Sequence, residues 1–176
     1  TGVGVVPRGR VIGGALARPG DVVLLSGSIG DHGVAVLSKR ESLDFETTIE
    51  SDSAALNTLV ANLLAAVPEG AVHVLRPTAL HVLRDPTRGG LATTLNEITR
   101  QSGVGMLLQE AAIVVKPQVD AACELLGLDP LYVANEGKFI AIVAADAAEA
   151  ALAAIHDHPL GRDAARIGVV IADDHH

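Results

Sequence analysis

Apolar residues along this chain fall into two patterns, short continuous runs and longer stretches with helical spacing. Continuous runs bounded by glycine, proline or polar residues are typical of buried strands, and spacings of three and four residues are typical of helices. The continuous runs predict strands at residues 1–6, 22–25, 81–84, 104–108, 113–115, 139–144 and 167–172. Helices are predicted around residues 34–37 and at 56–67, 91–101, 117–126 and 146–155. This alternation with short connections predicts an α/β layer structure.

One stretch, residues 81–101, predicts a strand, a tight loop and a helix in succession. Asp85 and the proline after it end the strand, because proline has no N–H to donate and restricts the preceding residue. Gly89 and Gly90 let the chain turn sharply and leave N–H groups uncovered where the helix begins. With the hydroxyl of Thr87 and the guanidinium of Arg88, these groups form a candidate anion site. Spacing alone favours a simpler interpretation, a glycine turn with a capping threonine.

Another glycine-rich loop follows the predicted strand at residues 22–25 and contains Gly30, Asp31 and His32. His32 is a candidate proton carrier or phosphate-facing donor, since histidine titrates near neutral pH. The alternative is a loop histidine that hydrogen-bonds to the backbone. Asp31 is either a helix cap or a ligand of a metal-bound nucleotide. Because each loop lies between a strand and a helix, we hypothesise that the two loops face one cleft.

Several polar residues outside the loops are predicted to shape helix ends. Ser51 and Asp52 precede the clearest amphipathic segment, and we assign them to capping its helix before any contact with a ligand. Asp146 is predicted to cap the alanine-rich helix that ends near His156. His156 and His158 have no nearby third ligand in the sequence, so no metal site is predicted there.

A short segment is nearly duplicated in the chain: residues 73–78 and 81–87 both begin His-Val-Leu-Arg and both contain a Pro-Thr pair. Both copies offer the same local strand pattern, so either could pair in the sheet. We expect the second copy to be the strand, because it leads into the glycines, and the first copy to form an extra loop.

Composition narrows the class of protein. The chain has 176 residues, of which 49% are hydrophobic, so it can bury a sizeable core within one domain. Its 13 basic and 21 acidic residues give a formal net charge of −8, which disfavours nucleic acid or an anionic membrane as a partner. No apolar run reaches the roughly 18 residues of a membrane span. The single cysteine, Cys123, is expected in the core, excludes an internal disulfide and fits a reducing cytoplasm.

Four stretches together resemble one known family. They are Asp-Pro-Thr-Arg-Gly-Gly-Leu-Ala at 85–92 with Leu-Asn-Glu-Ile at 95–98, Gly-Asp-His-Gly at 30–33, Ser-Asp at 51–52, and Asp-Pro-Leu at 129–131 with Ala-Asn-Glu-Gly-Lys at 134–138. The chain resembles the hydrogenase maturation factor family HypE over about residues 20–168. The wider superfamily includes aminoimidazole ribonucleotide synthetase, selenophosphate synthetase and thiamine-monophosphate kinase.

The resemblance implies a fold and an activity. The fold is a mixed β-sheet layered with helices, similar to the C-terminal domain of aminoimidazole ribonucleotide synthetase. In the full-length family, an N-terminal domain binds Mg²⁺ and ATP and dimerises, and a flexible tail ends in cysteine. That cysteine receives a carbamoyl group from HypF, and ATP-dependent dehydration converts it to a thiocyanate. The cyanide then passes to iron on the HypC–HypD complex, for [NiFe] hydrogenase.

The resemblance also implies roles for residues of this chain. Glu136 is the candidate base beside the substrate-bearing tail, although residues 135–137 alone equally predict a solvated turn. Arg88 and His32 are the other candidate catalytic residues, and Arg88 would neutralise charge that moves between phosphate oxygens. The nucleotide is expected near six residues of the two loops: Gly30, Asp31, Asp85, Thr87, Gly89 and Gly90.

We interpret residues 1–176 as a single C-terminal domain of a HypE-like cytoplasmic protein, without the N-terminal ATP-binding domain and the cysteine tail. Alone, the chain is expected to lack dehydratase activity and to bind ATP weakly or not at all. His175 and His176 are either natural residues or the start of a purification tag. One alternative is a domain of another ATP-dependent synthetase or kinase of the superfamily. Another is a non-catalytic module that binds an anion or a protein.

Overall fold

Five strands form one sheet in the computed structural model of the chain, which describes residues 5, 10–41, 49–67 and 78–173. The strands are β1 (Val22–Leu25), β2 (Leu80–Arg84), β3 (Val104–Leu108), β4 (Ile140–Val143) and β5 (Ala165–Ala172). Their order is β2-β4-β1-β5-β3, and each neighbouring pair is antiparallel. An isolated parallel bridge joins Ile29 and Val115. The predicted sheet layered with helices is confirmed, and the second copy of the duplicated segment is strand β2.

Five α-helices lie in the same described ranges. They are α1 (Asp31–Glu41), α2 (Asn57–Ala66), α3 (Gly90–Ser102), α4 (Pro117–Leu126) and α5 (Ala148–His156). Proline opens α4, where its missing N–H costs no helical hydrogen bond. Gly103 and Gly127 follow α3 and α4 with φ of 65° and 66°, the left-handed conformation that glycine adopts without a steric penalty. These helix ends match the sequence prediction.

Helices cover both faces of the sheet, so the strands are buried on each side. Alternate residues of a strand point to opposite faces. Val23 of β1 therefore joins a cluster that includes Leu91 of α3. Its neighbour Val22 joins the cluster on the other face, with Leu59 of α2 and Ile155 of α5. This arrangement explains why the strands appear in the sequence as continuous apolar runs.

A third, smaller cluster lies between α1 and α4 and includes Val34, Val119, Cys123 and Val133. Cys123 is 1% exposed, which confirms the prediction that it is a core residue. Burial, followed by the negative charges of Asp120 and Asp129, raises the pKa of the Cys123 thiol.

The predicted caps of α2 are wrong. This helix begins at Asn57, its N-cap residue is Leu56, and no side chain caps it. Ser51 and Asp52 lie in an irregular segment before the helix, and their side chains bind other parts of the chain. A cap must lie immediately before the helix to reach its first N–H groups. The polar residues Ser51 and Asp52 therefore make tertiary contacts and do not cap the helix.

Two further predictions need correction. Asp146 does not cap α5, because a 3₁₀ turn at Ala145–Ala147 intervenes and Ala147 takes the N-cap position without a side-chain hydrogen bond. Residues 113–115 are not a strand, since they follow the 3₁₀ turn Glu110–Ala112 and only Val115 forms a bridge. The predicted strand at 1–6, the first duplicated copy at 73–77 and the final histidines lie outside the described residues, apart from Val5.

Candidate active site

One buried side chain joins two glycine-rich segments. They are residues 26–33, which include the first three residues of α1 (the 26–33 loop), and residues 85–90, which include the first residue of α3 (the 85–90 loop). The amide oxygen of Asn135 accepts a hydrogen bond from Gly30 N–H at 2.8 Å. Its amide nitrogen donates to Pro86 O at 3.1 Å and to Val133 O at 3.0 Å. Asn135 is 0% exposed, so these partners replace all contact with water. The two loops are therefore neighbours in the fold.

Glycines in both loops allow close packing against the segment around Val133. Gly30 and Gly90 have φ of 87° and 67°. A Cβ on Gly90 would collide with backbone atoms of Leu131, Tyr132 and Val133. Such contacts leave no room for any side chain at position 90. These two glycines therefore have a structural explanation that does not involve a nucleotide.

Asp31 is engaged inside the protein. Ser28 Oγ donates to one of its carboxylate oxygens at 2.7 Å, and Lys116 Nζ lies 2.7 Å from the other. The Asp31 side chain is 2% exposed. The carboxylate therefore ties the 26–33 loop to the residue before α4, since a buried carboxylate must be paired and hydrogen-bonded.

The polar residues of the 85–90 loop lie at the surface. Asp85, Arg88 and Gly89 are exposed, and the Thr87 hydroxyl donates to Asp85 Oδ2 at 2.8 Å. Within the described ranges, Arg88 has no side-chain hydrogen bond or ion pair. Helix α3 begins at Gly90 without a side-chain cap. Arg88 is thus two residues before the first residue of α3. The N-terminus of a helix carries partial positive charge, and this one has no side-chain cap.

His32 and Glu136 face each other across the same region. His32 Nε2 lies 3.9 Å from Glu136 Oε1, and their side chains are 24% and 41% exposed. Ser51 Oγ lies 2.8 Å from His32 Nδ1. The structure therefore brings together two of the three predicted catalytic residues, His32 and Glu136.

The segment around Asp52 supports the turn that carries Glu136. Asp52 Oδ1 accepts from Glu136 N–H at 3.2 Å, and Asp52 Oδ2 accepts from Lys138 Nζ at 3.2 Å. The Asp52 side chain is 3% exposed. A Cβ on Gly137 would collide with Asp52 O, so the two segments pack backbone against backbone. Periodicity could not reveal these contacts, because the partners lie more than 80 positions apart.

The arrangement offers acid–base groups and a cation but no cluster of metal ligands. Among the residues that the structure describes, no group of three or more His, Cys, Asp or Glu side chains is placed to hold a metal ion. His156 Nε2 bonds to Ala164 O at 2.8 Å, and His158 Nε2 bonds to Thr58 Oγ1 at 2.9 Å.

None of the described helices combines the length and the apolarity needed to cross a membrane.

Residues 18–176 match the family of AIR synthase related proteins, C-terminal domain. The chain therefore belongs to that family. Carbamoyl dehydratase HypE of Cupriavidus necator is 69% identical over 176 residues, which are 100% of this chain and 47% of that protein. This similarity confirms the resemblance seen in the sequence motifs. The chain spans about half the length of the curated relatives it matches.

Solved structures of HypE proteins are also similar to this chain. A crystal structure of HypE in complex with ATP matches 93% of this chain and 46% of its own, with 50% identity and a TM-score of 0.81. A crystal structure of a HypE–HypF complex matches 92% of this chain and 50% of its own, with 46% identity and a TM-score of 0.84.

Proposed function

We propose that this chain is the C-terminal domain of an ATP-dependent carbamoyl dehydratase that supplies the cyanide ligand of [NiFe] hydrogenase. The observation that carries the proposal is 69% identity over the whole chain to a protein named carbamoyl dehydratase HypE. The full-length protein would also contain an N-terminal ATP-binding domain and a C-terminal cysteine tail. It would work in the cytoplasm as a homodimer.

Of the proposed partners, HypF is supported by a solved relative, and the HypC–HypD complex is implied by the family resemblance. HypF would donate the carbamoyl group, which is supported by the solved complex of a HypE with HypF. The HypC–HypD complex would accept the cyanide. ATP as a substrate is supported by the HypE structure that contains it. Mg²⁺ would be held mainly by the other domain, as the family resemblance implies.

The chemistry assigns different tasks to the residues. The carboxamide oxygen is a poor leaving group, so it would first attack the γ-phosphorus of ATP, with ADP as the leaving group. One nitrogen proton would leave as the phosphorylated imidate forms, and loss of phosphate together with the second nitrogen proton would then leave the thiocyanate. Glu136 would take that proton, since its carboxylate is part-exposed and faces His32. Arg88 and the N–H groups at the start of α3 would stabilise charge on the phosphate oxygens.

The predicted nucleotide contacts divide into two groups. Asp85, Arg88 and Gly89 are exposed and Thr87 is partly buried, and Asp85, Thr87 and Gly89 remain the proposed contacts. Gly30, Asp31 and Gly90 are occupied by packing and internal hydrogen bonds. We assign these three to holding the loops in place, so any influence on the nucleotide would be indirect.

Replacing Glu136 tests the proposed role of the base. Glu136→Gln in the full-length protein should slow thiocyanate formation at least about 100-fold, because glutamine cannot accept the proton. The measurement is mass spectrometry of the carbamoylated tail during single turnover with ATP. Glu110→Gln, an exposed glutamate in a 3₁₀ turn, is the matched control. Near-normal turnover in Glu136→Gln would exclude Glu136 as the base, and no thiocyanate in the wild type would reject the function.

The isolated chain provides a second test of the domain assignment. With ATP but without the other domain, it should show no dehydratase activity and no ATP hydrolysis above background. Clear ATP hydrolysis by the chain alone would contradict the division of labour proposed for the two domains. It would instead favour another ATP-dependent reaction of the superfamily.

A further inference from the structure

Ser51 contacts one nitrogen of the His32 ring while the other nitrogen faces Glu136. Ser51 Oγ lies 2.8 Å from Nδ1, and Glu136 Oε1 lies 3.9 Å from Nε2. The two ring nitrogens point in different directions, so a group that fixes Nδ1 also aims Nε2. Second-neighbour groups commonly set the tautomer and the orientation of a functional histidine in this way.

The single hydroxyl proton of Ser51 has two candidate acceptors, Ser53 Oγ and His32 Nδ1. Ser53 N–H donates to Ser51 Oγ at 3.2 Å, and Ser53 Oγ lies 2.9 Å from the same oxygen. A serine oxygen has two lone pairs and one proton. When both donors of Ser53 bind Ser51, the lone pairs are used and the proton of Ser51 is directed to His32 Nδ1. Neutral His32 then carries its own proton on Nε2.

The opposite arrangement is electrostatically unfavourable. If Nδ1 carried the proton and donated it to Ser51, the neutral ring would turn the lone pair of Nε2 toward the carboxylate of Glu136. With the proton on Nε2, the N–H dipole instead points at the negative charge and stabilises it. The 3.9 Å separation is longer than a direct hydrogen bond, so the interaction is between a dipole and a charge.

We infer that Ser51 is a positioning residue for the proposed reaction, whose hydroxyl orients the His32 ring and keeps the ring proton on Nε2, facing Glu136. The catalytic consequence rests on the proposed function, but the contact between Ser51 and His32 does not. Ser51 itself would not touch the substrate. It would act by holding the ring whose Nε2 faces the Glu136 carboxylate.

Kinetics of the full-length protein test the catalytic consequence. Ser51→Ala should lower kcat about tenfold and leave KM for ATP within about twofold, since only the acid–base groups are disturbed. Ser51→Thr keeps the hydroxyl and should restore most of kcat. Thr99→Ala removes a hydroxyl that bonds to Asn96 O of its own helix, so it serves as the matched control with near-normal kcat. Equal kcat in wild type and Ser51→Ala would overturn the inference.

Nuclear magnetic resonance of ¹⁵N-labelled histidine tests the contact without relying on activity. The His32 signals are assigned by their loss in His32→Asn. At a pH where the ring is neutral, the proton should reside on Nε2, and Ser51→Ala but not Ser51→Thr should shift the Nδ1 resonance. A proton on Nδ1 in the wild type, or an unchanged Nδ1 resonance in Ser51→Ala, would overturn the inference. The expected spectra from a wild type without dehydratase activity would support the contact and reject the proposed function.

Discussion

The two glycine loops share a high glycine content but have contrasting surroundings. In the 26–33 loop, the side chain of Asp31 is 2% exposed and is held by Ser28 and Lys116. In the 85–90 loop, Asp85 and Arg88 are exposed. Both loops join a strand to a helix and both turn at a glycine with positive φ. Glycine content therefore predicts the turn, while the partners of the polar side chains decide whether the loop packs or presents donors to a ligand.

Asn135 makes the two loops interdependent. It accepts from Gly30 in one loop and donates to Pro86 in the other, so a change in its side chain affects both. Asn135 also directly precedes Glu136 in the sequence. Through Asn135, the packed 26–33 loop therefore supports both the exposed 85–90 loop and the turn that carries Glu136.

Removing the amide of Asn135 should have the largest effect on stability. Asn135→Ala breaks three buried hydrogen bonds and leaves Gly30 N–H and two carbonyl groups unpaired, a loss of about 3 kcal/mol or more. Thermal unfolding of the protein measures this loss. Asn96→Ala is the control, because the Asn96 amide is exposed and bonds only to Ala92 O of its own helix. Equal melting temperatures for the two variants would contradict the supporting role of Asn135.

Replacing Arg88 should separate activity from stability. Arg88→Ala in the full-length protein should lower dehydratase activity about 100-fold if its guanidinium stabilises charge on phosphate. The free energy of unfolding should change by less than about 0.5 kcal/mol, since Arg88 is exposed. Arg100→Ala removes an exposed arginine from the last turn of the same helix and should affect neither quantity. A large loss of stability in Arg88→Ala would show that the 85–90 loop also packs.

Matched aspartates compare the loops directly. Asp31→Asn should cost about 1–2 kcal/mol of stability, because the buried carboxylate loses its charge pairing with Lys116, which water partly screens at 43% exposure. Asp85→Asn should cost less than about 0.5 kcal/mol, since Asp85 is exposed. Urea unfolding of both variants gives the comparison. Similar losses in the two variants would mean that exposure does not distinguish these loops.

Local signals predicted much of this fold. Continuous apolar runs located all five described strands, and the glycines at Gly103 and Gly127 located the ends of two helices. The failed cap prediction at Ser51 and Asp52 has a physical cause, because such polar residues satisfy their hydrogen bonds either locally or across the fold. Sequence periodicity carries no information about hydrogen bonds between residues that are distant in the sequence. The motif resemblance contained both Ser51-Asp52 and the 134–138 block, but only the structure shows that they touch.

Titration of the single cysteine tests the packing against the 26–33 loop. Cys123 lies in the same cluster as Val119, and a Cβ on Gly30 would collide with Val119. Burial raises the pKa of the Cys123 thiol. The unfolded chain therefore loses this proton at lower pH than the folded chain, and ionisation favours unfolding. Stability from the neutral thiol is complete below the ordinary thiol pKa and is lost as pH rises toward the raised value, by at most about 1.4 kcal/mol per pH unit.

Comparing wild type with Cys123→Ala over alkaline pH isolates this contribution, because the alanine variant should lack that part of the decline. Slow alkylation of Cys123 by iodoacetamide in the folded protein should accompany it. Fast alkylation at neutral pH would show that the support beneath the 26–33 loop opens readily. In that case the contrast between a packed loop and an exposed loop would hold only for the static structure.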